Sequence, residues 1–114
     1  MKIEVNESKE SILILSLLAL GINKALEQKV ISFNLAEGLL FCPYVIKLCQ
    51  DLNLSKRLVN IIHEGTELED ISSLVGEDSL RKSLESINKQ LLKVIADNDT
   101  IDFQADKILK PIDM

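Results

Sequence analysis

The amino-acid sequence predicts an all-α fold: a single compact bundle of five to six helices around a central hydrophobic N-terminal helix. Three observations support this prediction. The chain has 114 residues, which is enough for one domain with one hydrophobic core. Aromatic residues make up only 4% of the chain, so leucine and isoleucine must fill that core. Four glycines and two prolines are too few for the frequent turns of an all-β sandwich.

The first helix is predicted over about residues 8–29, and it contains the most apolar stretch of the chain. Within residues 12–22, every residue except Ser16 is apolar or glycine. This stretch is shorter than the ~18 apolar residues of a membrane span, so we expect a core helix covered by other helices or by a partner. Polar residues that return after Gly21, namely Asn23, Lys24, Glu27 and Gln28, predict a solvent-exposed side.

Two short helices are predicted next. Asn34 and Glu37 have the spacing of a capping box, which indicates a second helix over about residues 34–41. A third helix is predicted over residues 43–52, because proline is well tolerated in a first helical turn. The apolar residues of this third helix that we expect to be buried are Val45, Leu48, Cys49 and Leu52.

The fourth and fifth helices are predicted from further capping signals. Ser55 is a suitable N-cap for a helix over residues 56–64, which Gly65 would end. Thr66 and Glu69 form a second capping box for a fifth helix, which Gly76 would end. The residues expected in the core are Leu58, Ile61 and Ile62 of the fourth helix, with Leu68, Ile71 and either Leu74 or Val75 of the fifth.

The last long helix is predicted over about residues 78–96. Its apolar residues form one stripe at helical spacing: Leu80, Leu84, Ile87, Leu91, Val94 and Ile95. Glu85 and Lys89 have the spacing of an i,i+4 ion pair. Residues 101–114 fit neither the helix nor the strand period, so they are predicted to form either a short helix or an extended C-terminal arm. Residues 1–114 as a whole are interpreted as a single helical domain.

Charge is distributed unevenly along the chain. The net charge is −5. Residues 1–63 carry seven Lys/Arg and six Asp/Glu (+1), whereas residues 64–114 carry six and twelve (−6). The basic surface expected of a nucleic-acid-binding protein is missing from this pattern. Residues 64–78 contain six acids and no Lys or Arg: Glu64, Glu67, Glu69, Asp70, Glu77 and Asp78. They are either solvated helix ends or a face that binds a basic protein.

The sequence gives little support for catalysis or for metal binding. His63 and Glu67 have the spacing of the two zinc-binding histidines in His-Glu-x-x-His, but only one histidine is present. Cys42 or Cys49 could pair with His63 only if the thiol were accessible, and both cysteines are expected on apolar helix faces. We therefore predict no enzymatic activity, no metal and no cofactor. A metal- or thiol-dependent enzyme is the weakest of the alternatives.

The sequence also indicates a cytoplasmic location. The first ten residues mix acidic and basic side chains, unlike the cationic start of a signal peptide. If Cys42 and Cys49 share a helix, their Cα atoms are about 10 Å apart, which is too far for a disulfide. Free thiols are typical of the cytoplasm.

Two segments resemble a known family. Residues 39–48 (Leu-Leu-Phe-Cys-Pro-Tyr-Val-Ile-Lys-Leu) and 61–71 (Ile-Ile-His-Glu-Gly-Thr-Glu-Leu-Glu-Asp-Ile) resemble a small bacterial family of about this length, known only as a domain of unknown function. The resemblance extends over most of the chain and ends before the tail. It implies no activity and no catalytic residue. By analogy of size and charge, small acidic proteins of this kind are often immunity proteins, which neutralise a toxin encoded beside them.

The leading hypothesis is therefore a non-enzymatic protein-binding module, most concretely an immunity protein that docks an acidic face on a basic, nuclease-type toxin. The residues predicted to contact this partner are Tyr44, His63, Glu64, Glu67, Glu69 and Asp70. The alternative is a homodimeric structural or regulatory helical protein with the first helix as its interface. Neither hypothesis involves nucleic acid or a membrane.

Overall fold

The computed structural model describes residues 1–3, 8–99 and 104–112. Six helices form the body of this part of the chain: α1 (Ser8–Glu27), α2 (Phe33–Leu39), α3 (Pro43–Asp51), α4 (Lys56–Thr66), α5 (Leu68–Leu74) and α6 (Glu77–Asp97). They are followed by the single turn α7 (Ala105–Ile108). Strands β1 (Lys2–Ile3) and β2 (Leu109–Lys110) pair antiparallel. The prediction of an all-α bundle is confirmed.

The core is organised around α6. Its apolar stripe is buried almost as predicted: Leu80, Leu84, Ile87, Leu91 and Val94 are buried, and Ile95 is half-buried. Helices α1, α4 and α5 all pack on α6. On the solvent side, Glu85 pairs with Arg81 (Oε1 to Nη1, 3.1 Å) rather than with Lys89. Both pairings have i,i+4 spacing, so helical periodicity alone does not choose between them.

α1 and α6 run antiparallel, and α1 approaches α6 through small and polar residues. Ser16 and Ala19 are fully buried, and side chains this small let the two backbones come close. Asn23 is also fully buried, so its predicted place on the solvent-exposed side is wrong. Its Nδ2 donates to the backbone oxygen of Leu84 (2.9 Å) and to Oδ1 of Asn88 (2.8 Å). These hydrogen bonds offset part of the cost of burying the amide, whose Oδ1 has no hydrogen-bond partner in the described part of the chain.

The sequence predicts α1 at the centre of the bundle; α1 does contact α2, α4 and α6, but the helix on which α1, α4 and α5 all pack is α6. The opposite side of α1, however, is not enclosed by the described residues. Leu17 is 48% exposed and Leu18 is 43% exposed, although both lie in the most apolar stretch of the sequence. The surplus of apolar residues in α1 is therefore partly at the surface.

The helix boundaries differ from the predicted caps at α2 and α3. The N-cap of α2 is Ser32, whose Oγ accepts from the backbone N–H of Leu35, so the capping box predicted at Asn34 is wrong. In α3, Val45 and Cys49 are buried, but Leu48 and Leu52 are 39% and 51% exposed. A helix of nine residues that packs mainly on α4 buries only one narrow stripe.

Gly65 lies inside α4 and does not end it as predicted. A Cβ atom at Gly65 would lie 2.6 Å from Cγ and Cδ1 of Phe41, whose ring is 1% exposed. The glycine is therefore needed for packing: the ring of Phe41 occupies the space of the missing side chain. The N-terminal prediction for α4 is confirmed, since Oγ of Ser55 accepts from the backbone N–H of Arg57.

α5 begins without the predicted capping box. Its N-cap is Glu67, which makes no side-chain cap hydrogen bond, and the hydroxyl of Thr66 instead donates to the backbone oxygen of His63 (2.6 Å). Leu68 is buried as predicted, but Leu74 and Val75 are 82% and 67% exposed. Gly76 follows the helix with φ +116°, the left-handed conformation in which glycine is favoured, and α5 ends there as predicted.

The C-terminal segment combines the two predicted alternatives. Within residues 104–112, a single helical turn leads directly into β2. The predictions for residues 101–103, 113 and 114 lie outside the described residues. Among the helices of the described ranges, none combines the length and the apolar character that crossing a bilayer would need.

Candidate functional site

Five of the six predicted contact residues lie around the junction of α4 and α5. His63 and Glu64 are in the last turns of α4, Glu67 joins the two helices, and Glu69 and Asp70 are in the first turn of α5. All five are exposed. The junction is a direct helix-to-helix connection without a loop, so these side chains are held on regular backbone.

Polar contacts on α4 hold part of this group in place. Nδ1 of His63 lies 3.0 Å from Oε1 of Glu67, an i,i+4 contact across the junction. Oε2 of Glu64 accepts from Nε2 of Gln90 on α6 at 3.0 Å. Both contacts are exposed, so each contributes little to the stability of the fold. Their effect is to orient two carboxylates toward the same side of the molecule.

A shallow groove of about 320 Å³ lies beside these two carboxylates. It is lined by Glu64, Glu67, Ile71, Lys82, Ser83 and Ser86. Lys82 belongs to α6 and brings a positive charge to an acidic segment that contains no lysine of its own. The groove is therefore a mixed polar surface, with less negative potential than the sequence alone suggests.

The outer side of α5 carries both acidic and apolar residues. Glu67, Asp70 and Leu74 have the i, i+3, i+7 spacing of one helical side, and we call these three residues together with Val75 the α5 stripe. Leu74 is 82% exposed, more than any other large hydrophobic residue in the described part of the chain. Asp70 makes no ion pair within the described residues. A prominent leucine thus lies one helical turn from an unneutralised carboxylate.

Glu69 and Tyr44 lie apart from this stripe. Glu69 lines a different groove, together with Lys29 and Glu77, and Nζ of Lys29 is 3.4 Å from Oε2 of Glu77. Tyr44 is 74% exposed near the start of α3, three residues after the Phe41 ring that packs on α4. The fold therefore separates the six predicted residues into the junction with its α5 stripe, the Glu69 groove and the Tyr44 surface.

The arrangement of thiols and His63 does not favour covalent chemistry. Cys49 is fully buried on α3, whereas the side chain of His63 is 62% exposed. Burial raises the pKa of the Cys49 thiol, which disfavours the nucleophilic thiolate. Both cysteines are free. Within residues 1–3, 8–99 and 104–112, no group of three or more His, Cys, Asp or Glu residues is arranged to hold a metal ion.

The contributions of Lys82, Gln90 and Lys29 were not predicted from the sequence. Lys82 and Gln90 lie on α6, and Lys29 lies in the turn after α1. Each is distant in sequence from the acid that it approaches, so only the packing of α1 and α6 reveals these contacts. The exposed flank of α6 was a usable signal, since Lys82 and Gln90 lie off its apolar stripe.

Comparison with known proteins gives one match. A family model described as "Protein of unknown function (DUF3969)" matches residues 6–110. No curated protein and no solved structure matches this chain.

Proposed function

This chain belongs to the DUF3969 family, a family of unknown function, and we propose that it is a non-enzymatic binding protein, most concretely an immunity protein that neutralises a basic bacterial toxin. The observation that carries this proposal is the α5 stripe, where Leu74 projects from the surface about one helical turn from Asp70 and two from Glu67. An exposed leucine in a short helix contributes nothing to the core of the monomer. On a partner it would be the apolar anchor of an interface.

The chemistry of the α5 stripe suits a basic partner. Protein interfaces typically place apolar anchors at the centre and charged residues at the rim. Here Leu74 and Val75 would form the centre, and Glu67 and Asp70 would form an acidic rim. Because residues 64–114 carry a net charge of −6, the same half of the chain would also attract a cationic protein from a distance.

The other contacts predicted from the sequence have smaller roles in this proposal. His63 and Glu64 would extend the rim on α4. Tyr44 and Glu69 would contact only a partner large enough to reach beyond the junction, because they lie on different surfaces. The proposed protein uses no cofactor, binds neither nucleic acid nor membrane, and acts in the cytoplasm, where it would meet a toxin before the toxin is exported.

Binding kinetics with the product of the adjacent reading frame test this proposal. Reversing two charges with Glu67→Lys and Asp70→Lys should lower the association rate about tenfold at low salt, and the difference should shrink at high salt. Leu74→Ala should mainly raise the dissociation rate, because it removes buried apolar contact. The matched control is Asp99→Lys with Asp106→Lys, which makes the same charge change at exposed acids away from α5.

Two results would contradict the proposal. One is a complex whose association rate responds equally to the α5 variants and to the control, since this would reflect net charge rather than a site. The other is a complex that is unaffected by Leu74→Ala.

A further inference from the structure

The outward side of α1 is an apolar helix face without cover from the described residues. Its members recur at i, i+3, i+4, i+7 and i+11: Ile14, Leu17, Leu18, Gly21 and Ala25. We call them the α1 outer face. Leu17 and Leu18 are 48% and 43% exposed, Gly21 is exposed, and the two end members are half-buried. We propose that a second copy of this chain packs here, with its own α1 antiparallel to the first.

Gly21 is the first argument for a helix packed on this face. A glycine in the middle of a helix destabilises it relative to alanine, so its presence calls for a reason. The described part of the chain gives no such reason, because a Cβ atom at Gly21 would have no neighbour within 4 Å. Glycine does allow another helix to approach closely. In an antiparallel pair centred between Leu17 and Leu18, the bulky Ile14 of one copy lies opposite Gly21 of the other.

Charge identifies the occupant as a second copy in antiparallel orientation. Glu10 precedes Ile14 by one turn on the same side of α1, and Lys24 follows Gly21 near the other end. Within its own chain Lys24 already pairs with Glu27 (Nζ to Oε1, 3.2 Å), and Glu10 also has a contact there. Antiparallel packing about Leu17 and Leu18 brings Glu10 of each copy to Lys24 of its partner, so that two symmetric intermolecular ion pairs add to these contacts. Parallel packing would bring Glu10 to Glu10. The face is thus complementary to itself under a two-fold axis, as an isologous dimer requires.

The size of the face sets the expected strength of this dimer. A helix of 20 residues is about 30 Å long. One face of such a helix is smaller than the ~800 Å² per partner of a standard stable interface. We therefore expect a reversible dimer with a dissociation constant on the order of 10 μM. It uses none of the residues of the α5 stripe, so it is independent of the proposed function.

Sedimentation equilibrium from about 1 μM to about 200 μM tests the dimer, since mass action shifts the equilibrium across this range. Wild-type protein should change from monomer to dimer. Leu17→Asp and Leu18→Asp should remain folded by circular dichroism and stay monomeric throughout. Leu35→Asp is the matched control, because Leu35 is 47% exposed on α2, and it should dimerise like wild type.

Substitution of glycine separates the dimer from the fold. Gly21→Ala should raise the unfolding midpoint of the monomer, because it improves helix propensity, and should weaken dimerisation about tenfold or more by blocking close approach. Gly38→Ala is the control: its Cβ also has no neighbour within 4 Å, and its substitution should leave dimerisation unchanged.

Exchanging the charges tests the orientation. In a Glu27→Gln background, which removes the Lys24–Glu27 pair within the chain, Glu10→Lys alone and Lys24→Glu alone should weaken the dimer, and the variant with both changes should recover it. Three results would overturn the proposal: a wild-type chain that is monomeric at every concentration, a dimer insensitive to Leu17→Asp and Leu18→Asp, or a double variant no stronger than the single ones.

Discussion

Gly65→Ala is the substitution with the most specific consequence for this fold. In most helices this change is stabilising by up to about 1 kcal/mol, because alanine has the higher helix propensity. At Gly65 the new methyl carbon would lie 2.6 Å from Cγ and Cδ1 and 2.8 Å from Cδ2 of Phe41. Ordinary carbon–carbon contacts are about 3.5–4.0 Å, so the ring would have to move by about 1 Å. Phe41 is 1% exposed, so its ring cannot move out into solvent and the shift must be taken up within the packed core.

The expected magnitude follows from two opposing terms. Overpacking of a core typically costs about 1–3 kcal/mol, and three close ring carbons place this case near the upper limit. Subtracting about 1 kcal/mol for the gain in helix propensity leaves a net destabilisation of about 2 kcal/mol. For a chain of this size, this corresponds to a melting temperature lower by about 8 °C.

Urea unfolding followed by circular dichroism measures this change, with protein at about 1 μM so that association does not contribute. Gly21→Ala and Gly38→Ala are the controls, and both should be more stable than wild type. In the double variant with Phe41→Leu, the smaller side chain should leave room for the methyl group. The double variant should therefore lose less stability than the two single variants lose together. If Gly65→Ala were as stabilising as the controls, the packing of Phe41 on Gly65 would be refuted.

Two further predictions concern buried polar groups. Asn23→Ala should destabilise the fold by about 2 kcal/mol, because the hydrogen bonds from Nδ2 to Leu84 and Asn88 are lost. Urea unfolding measures this change. An unchanged unfolding midpoint would contradict the packing of α1 on α6. Burial raises the pKa of Cys49 above its ordinary value, so the folded chain retains this proton to higher pH than the unfolded chain. Stability should therefore fall as the pH rises above about 8.5, and Cys49→Ala should flatten this alkaline slope; an identical slope in the variant would contradict it.

The regular parts of the fold were predictable because periodicity is a local property. The stripe from Leu80 to Val94 follows the 3.6-residue repeat without interruption, and its burial follows from that pattern. The N-cap at Ser55 was also correct, and its Oγ accepts from the backbone N–H of Arg57. At α2 the cap predicted at Asn34 was wrong, and the side-chain hydrogen bond is made by Ser32, two residues earlier.

What the sequence does not reveal depends on which helices meet. Gly65 has the local signature of a helix end, and only the ring of Phe41 shows that it is a packing position. Leu74 fits an apolar stripe in the sequence, but it is the last residue of α5 and is 82% exposed.

In the candidate site, too, some features are visible in the sequence and others depend on how the helices pack. The acidic run around α5 is visible in the sequence, whereas its separation into distinct surfaces follows from the orientation of α5. Lys82, which lines the same groove as Glu64 and Glu67, belongs to α6. Because it is distant from them in sequence, the charges of neighbouring residues along the chain do not reveal it.

The most direct test of the proposed function is growth protection with purification from the same cells. The product of the adjacent reading frame would be expressed with and without this chain, and a tagged copy of the chain would then be recovered. The proposal predicts that growth stops without the chain, resumes with it, and that both proteins purify as one complex that Glu67→Lys, Asp70→Lys and Leu74→Ala weaken. Growth that is indifferent to this chain, with no complex recovered, would contradict it.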